Sequence, residues 1–210
     1  MRRPTPLPDE LGEGAFLTAE ARKLGISRRR TRSSSLVSPY FGVRSPGVAS
    51  STFERARAYA HWMERSQFFS HLTAAELLGL RMPEGFRPDE LHVASIPPMR
   101  APRSHGVTGH QVALLLPAET VHGLRLSSPV DTWLSLASTL SLDDLVVMGD
   151  GLVGRIRPLI DLAGLQGVIA SVPGRRGQRR LNEAIRSIRP NTDSARETLL
   201  RAAHRSGRVS

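Results

Sequence analysis

The spacing of hydrophobic residues changes twice along this chain and separates helical parts from a strand-rich part. Between residues 53 and 65, apolar side chains recur every three or four positions, which predicts a helix. Helical spacing returns at Ser128, a predicted N-cap followed by Pro129, and persists towards residue 205. The fold class predicted is α+β, with a small sheet and helices in the middle and an α-helical C-terminal part. In that middle part the period falls to two, which predicts strands over 91–96, 106–116 and 121–126.

The N-terminal part carries the clearest local pattern. Thr18 is a predicted cap for a short helix that Gly25 ends, and Ser27 is the predicted cap of a second helix over 28–36. Residues 37–44 then mix strand-forming side chains with proline and glycine, as a hairpin does. Helix, turn, helix and hairpin in this order are typical of a winged helix-turn-helix, whose second helix enters the major groove of DNA.

Composition and pattern together predict four segments. Residues 1–15 are rich in proline and show no apolar period, so they are interpreted as a flexible leader. Residues 16–47 form the predicted winged helix-turn-helix DNA-binding domain. Residues 48–172 form a predicted α+β middle domain, suited to protein contact or dimerisation. Residues 173–210 form a predicted basic helical tail.

Positive charge is concentrated in two places. The formal net charge is +10, and every basic residue except Lys23 is an arginine. Residues 20–47 hold seven basic and one acidic side chain, and residues 173–210 hold ten basic and three acidic ones, whereas the region between them is slightly negative. Two basic segments around a near-neutral middle favour a polyanionic partner, and we predict double-stranded DNA.

The candidate DNA contacts lie in these two basic segments. Arginines at the start of a recognition helix contact guanine edges or phosphates, and an arginine beyond the hairpin can reach phosphate or the minor groove. For both segments the alternative is an exposed arginine-rich surface without a ligand, since a GC-rich genome also favours arginine. The predicted contact residues are Ser27, Arg28, Arg29, Arg30, Arg32, Arg44, Arg175, Arg176, Arg179 and Arg180.

The residue types give little support to an enzyme. The chain has no cysteine, which excludes disulfides, thiolate metal sites and a cysteine nucleophile. The acid-x-Lys pattern of one widespread nuclease class is missing, because Ala21 stands two residues before Lys23, the only lysine. Ser70 and the Asp143-Asp144 pair are predicted to stabilise helix starts rather than to react. We therefore predict a non-enzymatic protein without a cofactor.

Seven histidines raise the question of a metal site. None belongs to an HxxxH or HExxH pair, the spacings that place two imidazoles on one helix face. The prediction is therefore that each histidine is isolated and that the chain holds no metal. The seven are His61, His71, His92, His105, His110, His122 and His204.

No feature of the sequence predicts a membrane partner. Apolar runs stay well below the roughly 18 residues that a membrane-spanning helix requires. The first residues, Met1-Arg2-Arg3-Pro4, lead into prolines and acids rather than into the apolar stretch of a signal peptide. With 40% hydrophobic residues in 210, the chain can still bury a core. These features predict a soluble cytoplasmic protein.

Several stretches, in this order, resemble actinobacterial proteins that join an AbiEi-type antitoxin region to a C-terminal endonuclease domain similar to very-short-patch-repair endonucleases. The motifs "SH-x-TAA-x-L-x-GL" and "SP-x-x-T" are more specific than general helix sequence. The matching stretches are LTAEARKLGISRRRTRSSSLVSPYFGVRSP (17–46), FFSHLTAAELLGLRMP (68–83), LHVASIPP (91–98), VHGLRLSSPVDTWLSLASTLSLDDLVVMGDGLV (121–153) and GRRGQRRLNEAIRSIRP (174–190).

The resemblance implies a winged-helix DNA-binding domain, binding to repeats at the protein's own promoter, and neutralisation of a nucleotidyltransferase toxin. It also implies that residues 194–207 open the nuclease domain, with Glu197 matching the glutamate of its first helix. Because the sequence stops at Ser210, before an acid-bearing sheet, the predicted function is a non-enzymatic type IV antitoxin and transcriptional autoregulator. The alternatives are a truncated very-short-patch-repair-like endonuclease that keeps only its DNA-binding and linker regions, and a module that binds only proteins.

Overall fold

The computed structural model of this protein describes residues 7–11, 14–82, 90–154 and 158–190. Within these ranges the architecture is mixed, with helices packed against a two-stranded and a five-stranded sheet. This agrees with the predicted α+β class. The predicted helix over 195–205, with Glu197, lies outside the described residues, and so do residues 1–6 of the predicted leader.

The elements follow one another from a 3-10 turn to a helical C-terminal part. The helices are α1 (Thr18–Lys23), α2 (Arg28–Thr31), α3 (Thr52–Ala60), α4 (His71–Leu77), α5 (Pro129–Leu136), α6 (Leu142–Leu152), α7 (Leu162–Ser171) and α8 (Gln178–Ala184). The strands are β1 (Phe16–Leu17), β2 (Val43–Arg44), β3 (Gln67–Phe69), β4 (Leu91–Ser95), β5 (Val107–Gln111), β6 (Glu119–Val121) and β7 (Leu124–Leu126). The 3-10 turn spans Asp9–Leu11.

The N-terminal unit comprises residues 16–44, from β1 to β2. In it, α1 and α2 lie beside the antiparallel pair β1 and β2. Gly25 ends α1 with a φ of 79°, as predicted, and the Ser27 Oγ accepts a hydrogen bond from the Arg30 amide at 3.2 Å, which confirms Ser27 as the cap of α2. The predicted Thr18 cap is wrong by one position, because Leu17 is the N-cap and its amide donates to the carboxylate of Glu20.

Helix α2 is shorter than predicted, because it ends at Thr31 rather than continuing to residue 36. The serines that follow form local hydrogen bonds of their own. The Ser33 Oγ accepts from the amide of Ser35 and lies 3.0 Å from the Ser35 Oγ. Hydroxyls that bond to nearby backbone compete with helical hydrogen bonds, which accounts for the early end.

The five-stranded sheet has the order β5-β4-β3-β7-β6, with parallel pairs at β4/β5 and β3/β7 and antiparallel pairs elsewhere. Strand β3 has no counterpart among the predicted strands. The run predicted as one strand over 121–126 contains the turn of a hairpin, since β6 and β7 are joined at His122 and Gly123, with φ of 49° and 77°. Two successive positive φ angles are typical of the two-residue hairpin turn.

The C-terminal helices enclose one apolar core around Trp133, which is fully buried. The Trp133 Nε1 donates to the Leu145 carbonyl at 2.9 Å, so its one polar group is satisfied inside the core. The chain after α8 approaches α6 closely at Gly149, where a Cβ would lie 2.3 Å from the Cδ1 of the buried Ile188. A larger residue at this position would force the Ile188 side chain to move.

A buried carboxylate connects the loop after β5 to the start of α5. Asp131 accepts hydrogen bonds from the backbone amides of Leu115 and Leu116, both at 3.0 Å, and from the Ser128 Oγ at 2.9 Å. Ser128 in turn accepts from the Asp131 amide, which confirms it as the N-cap of α5. Three donors around one carboxylate offset the cost of burying it.

We expect Asp131→Ala to lower the free energy of unfolding by about 2–3 kcal/mol, because two backbone amides and one buried hydroxyl would lose their acceptor. Chemical denaturation followed by far-UV circular dichroism measures the change. Asp143→Ala is the matched control, since Asp143 is exposed in the first turn of α6, and its loss should stay within about 0.5 kcal/mol. Equal losses for the two variants would show that the buried carboxylate has no special role.

Candidate functional site

The arginines of the first basic segment divide into exposed and engaged side chains. Arg28, Arg29 and Arg32 are exposed, and in the described part of the chain their guanidinium groups make no hydrogen bond or ion pair. Arg30 is half-buried, and its Nη1 donates to the Ser35 Oγ at 3.0 Å. Four of the predicted contacts therefore lie together on or beside α2, and three of them present free positive charge.

Arg44 has a different role from the predicted one. Its Nε donates to the Thr31 carbonyl at 2.7 Å, and its Nη1 donates to the Ser38 Oγ at 2.6 Å and to the Val43 carbonyl at 2.8 Å. The guanidinium thus binds the end of α2 to β2 instead of facing outward. Its planar, multi-donor geometry suits this bridging position. We assign Arg44 as a positioning residue for α2 and not as a contact to phosphate.

Aromatic residues attach the N-terminal unit to α3 and the loop that follows it. The Trp62 Nε1 donates to the Phe41 carbonyl at 2.5 Å, and the Phe41 and Trp62 rings meet edge to face. Tyr40 and Tyr59 pack in the same way, with ring centroids 5.0 Å apart. Such pairs add to the stability beyond their buried area, and they hold the β1-β2 pair in a defined orientation.

The arginines of the second basic segment also differ in exposure and in hydrogen bonding. The Arg180 Nη1 donates to the carbonyls of Ala137 and Leu140, at 3.1 and 2.7 Å, so Arg180 satisfies the end of α5. Arg175 is half-buried in a cleft, and burial lowers its pKa although the charge of Asp131 opposes that change. The predicted DNA contacts of these two arginines stay predictions. Arg176 and Arg179 remain exposed.

Three histidines meet in the cleft that Arg175 lines, although they are far apart in the sequence. His92 and Ala94 point to the same face of β4, because side chains alternate along a strand. Ala94 is the partner of His110 in the parallel β4/β5 pair, so His110 lies on that face too. His71 begins α4, which packs on β4, and its φ of 50° is unusual for a residue other than glycine.

The three imidazoles are in direct contact. The His92 Nδ1 lies 2.9 Å from the His110 Nε2, and the His71 and His110 rings are stacked with centroids 3.7 Å apart. One nitrogen from each ring can be chosen so that all three lie within 4.8 Å of one another. Ser70 is the N-cap residue of α4, as predicted, but its Oγ makes no capping hydrogen bond to the helix and lies 3.0 Å from the His71 Nδ1.

All three imidazoles are held in the neutral form. Burial lowers the pKa of His71 to about 3, with smaller contributions from His110, His92 and Arg175. Burial and the neighbouring His110 lower the pKa of His92 to about 4, and burial lowers the pKa of His110. Near neutral pH each ring therefore carries one N–H and one unprotonated nitrogen.

The prediction of isolated histidines is wrong for these three. It rested on short-range spacing along a helix, whereas His71, His92 and His110 come together through the parallel β4/β5 register and the packing of α4. His92 and His110 lie on the same face of two paired strands. Their placement in predicted strands is the only sequence signal that could have suggested the cluster. The cleft has a volume of about 820 Å³ and is lined by these rings, Arg175 and parts of α5.

The fold is similar to that of the RV2827C protein from Mycobacterium tuberculosis, whose crystal structure has been solved. The two chains are 18% identical, the match covers 82% of this chain and 71% of that chain, and the TM-score is 0.54. At this identity the similarity shows a shared fold. The sequence matches no protein-family model and no curated protein. Among the described residues, no helix is long and apolar enough to cross a membrane.

We expect Arg44→Ala to loosen the N-terminal unit, because the hydrogen bonds from β2 to the Thr31 carbonyl at the end of α2 and to the Ser38 Oγ in the loop would be lost. The free energy of local opening should fall by about 1–3 kcal/mol. Hydrogen exchange of the Thr18 amide, which donates to the Gly42 carbonyl at 2.7 Å, measures it. Arg29→Ala, with an exposed and unpaired side chain, is the control and should leave this exchange unchanged. Equal exchange in the two variants would argue against the positioning role.

Proposed function

We propose that this protein is a non-enzymatic DNA-binding regulator of the AbiEi antitoxin type, and that its N-terminal unit acts as a small winged helix-turn-helix on double-stranded DNA in the cytoplasm. The observation that carries the proposal is the group of three free guanidiniums on and beside α2, from Arg28, Arg29 and Arg32. The proposal also rests on the resemblance of residues 17–46 to the DNA-binding part of those antitoxins.

The order of elements supports this function. A glycine turn separates α1 from α2, and the buried side chains of Ala21 and Thr31 pack the two helices onto their surroundings. The loop after α2 folds back through the pairing of Val37 with Ser45 and leads into β2, in the place of a wing. Arg44 bonds to the Thr31 carbonyl within this unit. The exposed arginines make no such bond and can contact a ligand.

The charge distribution supports a polyanionic ligand. Residues 20–47 hold seven basic side chains and only one acidic one, Glu20. Glu20 accepts a hydrogen bond from the Leu17 amide at the opposite end of α1 from the turn, so it does not pair with the free arginines. An unbalanced positive surface of this kind attracts phosphates over long distances. Arg176 and Arg179 would add a second, weaker contact to the backbone.

We expect the triple variant R28A/R29A/R32A to lose most of its affinity for a duplex taken from upstream of its own gene. If each arginine neutralises one phosphate, the slope of log K against log salt should fall by about 2.7. Fluorescence anisotropy at several salt concentrations measures both quantities.

The matched control for this experiment is R65A/R100A/R103A, which removes the same charge from exposed arginines outside the N-terminal unit. Its affinity and salt slope should stay close to those of the wild-type protein. If the wild-type protein fails to bind the duplex at low salt, or if both triple variants bind equally well, the DNA-binding proposal is wrong.

Neutralisation of a nucleotidyltransferase toxin is the second part of the proposal and rests on the resemblance of residues 121–153 and 174–190. Co-expression with the product of the neighbouring gene tests it. Rescue of cell growth and co-purification of that product would support the antitoxin role. A neighbouring gene product that is neither bound nor neutralised would leave DNA binding as the proposed activity and remove the toxin.

A further inference from the structure

The three rings of the histidine cluster are supplied by three different elements of the fold. The start of α4 supplies His71, β4 supplies His92 and β5 supplies His110. Each backbone segment is fixed independently. Strands β4 and β5 are paired through their full length, and the buried Thr73 of α4 accepts a hydrogen bond from the His92 amide at 2.8 Å. The three rings therefore cannot easily move apart.

We propose that His71, His92 and His110 together bind one divalent transition metal ion, with Zn²⁺ as the reference ion, and that a fourth coordination position opens onto the 820 Å³ cleft. This site is separate from the exposed arginines of α2 that are proposed above to bind DNA, and its existence does not depend on that function.

In the described part of the chain, hydrogen bonds to side chains involve only some of the ring nitrogens of the cluster. Its contacts with protein side chains are the pair between the His92 Nδ1 and the His110 Nε2 and the pair between the His71 Nδ1 and the Ser70 Oγ. These use three of the six ring nitrogens. The other three ring nitrogens have no such partner, and an unprotonated nitrogen among them can bind an ion.

The nitrogens are close enough for one zinc ion once the rings rotate. Zn–N bonds of about 2.0–2.1 Å in a tetrahedral site separate the ligand nitrogens by about 3.3 Å. In the structure the three candidate ligand atoms lie within 4.8 Å of one another, and the His92–His110 pair is at 2.9 Å. The ring planes lie within 25° of one another, so the in-plane lone pairs of the stacked rings do not converge on one point. Rotation about the Cβ–Cγ bonds, which is soft for histidine, is needed to turn the nitrogens towards a shared ion.

The ligand set selects the class of metal. Imidazole nitrogen suits zinc, copper, nickel and iron, whereas calcium and magnesium prefer oxygen. In the described part of the chain no carboxylate belongs to the group. Three protein ligands with one position left open are typical of zinc sites that bind a further ligand, whereas structural zinc sites use four. Ser70 would orient the His71 ring from outside the coordination sphere.

Arg175 and Arg176 are charged side chains that line the cleft beside the cluster. The positive charge of Arg175 acts against a cation, since it also acts against protonation of His71. Asp131 favours the charged form of Arg175, because it raises the pKa of that group. The three neutral ligands would therefore bind a divalent ion against this charge.

The first test uses the full wild-type chain, stripped with a chelator and titrated with Zn²⁺ by calorimetry and with Co²⁺ by visible absorption. We expect one ion per chain and the absorption of a four-coordinate nitrogen site. Side-chain ¹⁵N NMR in the same titration should shift His71, His92 and His110 and leave the other four histidines unchanged. Absence of saturable binding, or shifts confined to other histidines, would overturn the proposal even if no variant were made.

The second test uses variants. His92→Ala and His110→Ala should each weaken Zn²⁺ binding by more than about 100-fold, and Ser70→Ala by about 10-fold, because loss of an outer partner costs less than loss of a ligand. His105→Ala and His122→Ala are matched controls at exposed positions and should bind Zn²⁺ normally. Circular dichroism checks folding, and a variant that does not fold leaves the decision to the wild-type NMR titration.

The variant R28A/R29A/R32A separates this proposal from the DNA-binding one. It should bind one Zn²⁺ ion as the wild-type protein does, whatever its affinity for DNA. Unchanged Zn²⁺ affinity in both histidine variants would show that the cluster is not a metal site, without bearing on the arginines of α2.

Discussion

The pairing of the short strand β3 with β4 on one side and β7 on the other is the interaction on which the rest of the structure depends. Phe69 in β3 is fully buried and lies beside Val93 and Leu126. The pairing continues past the strand, where the Ser70 amide donates to the His92 carbonyl and the Ser127 amide donates to the Phe69 carbonyl. The chain then enters α4 directly, so the position of His71 follows from β3.

The same strand joins two halves that have separate hydrophobic cores. One core, around Phe69, Tyr59 and Val93, lies under α3, and the other, around Trp133, lies among the C-terminal helices. The buried carboxylate of Asp131 adds a polar link, because it holds the loop after β5 against the start of α5. The cleft with the histidines opens beside this link, which explains why its walls come from both halves.

Arginine is used in two distinct ways in this protein. Arg44 and Arg180 donate to carbonyl groups at the ends of helices, and they stabilise the positions of those helices. Arg28, Arg29 and Arg32 have no such partners in the described part of the chain. Proximity in the sequence does not separate the two groups, since Arg44 lies in the same basic segment as Arg28, Arg29 and Arg32. The separation depends on which guanidinium can reach an unpaired carbonyl.

Local patterns were sufficient to predict the elements whose stability is local. Ser27, Ser128 and Gly25 have the predicted roles at helix ends, and the alternation in 91–96 became β4. Prediction failed where neighbouring interactions compete. The serines after Thr31 ended α2 early, and β3 was too short to show a period of its own. A three-residue strand is stabilised by its two partners rather than by its own sequence.

The candidate sites also combine features that local sequence predicts with features that depend on distant residues. The sequence by itself determined the class of fold, the helix ends and the cluster of arginines at 28–32, because these depend on residues a few positions apart. Only the tertiary structure decided that Arg44 faces inward and that His71, His92 and His110 share one cleft. Those outcomes depend on strand register and on the packing of α4 over β4, which join residues far apart in the chain, and no short-range spacing encodes them.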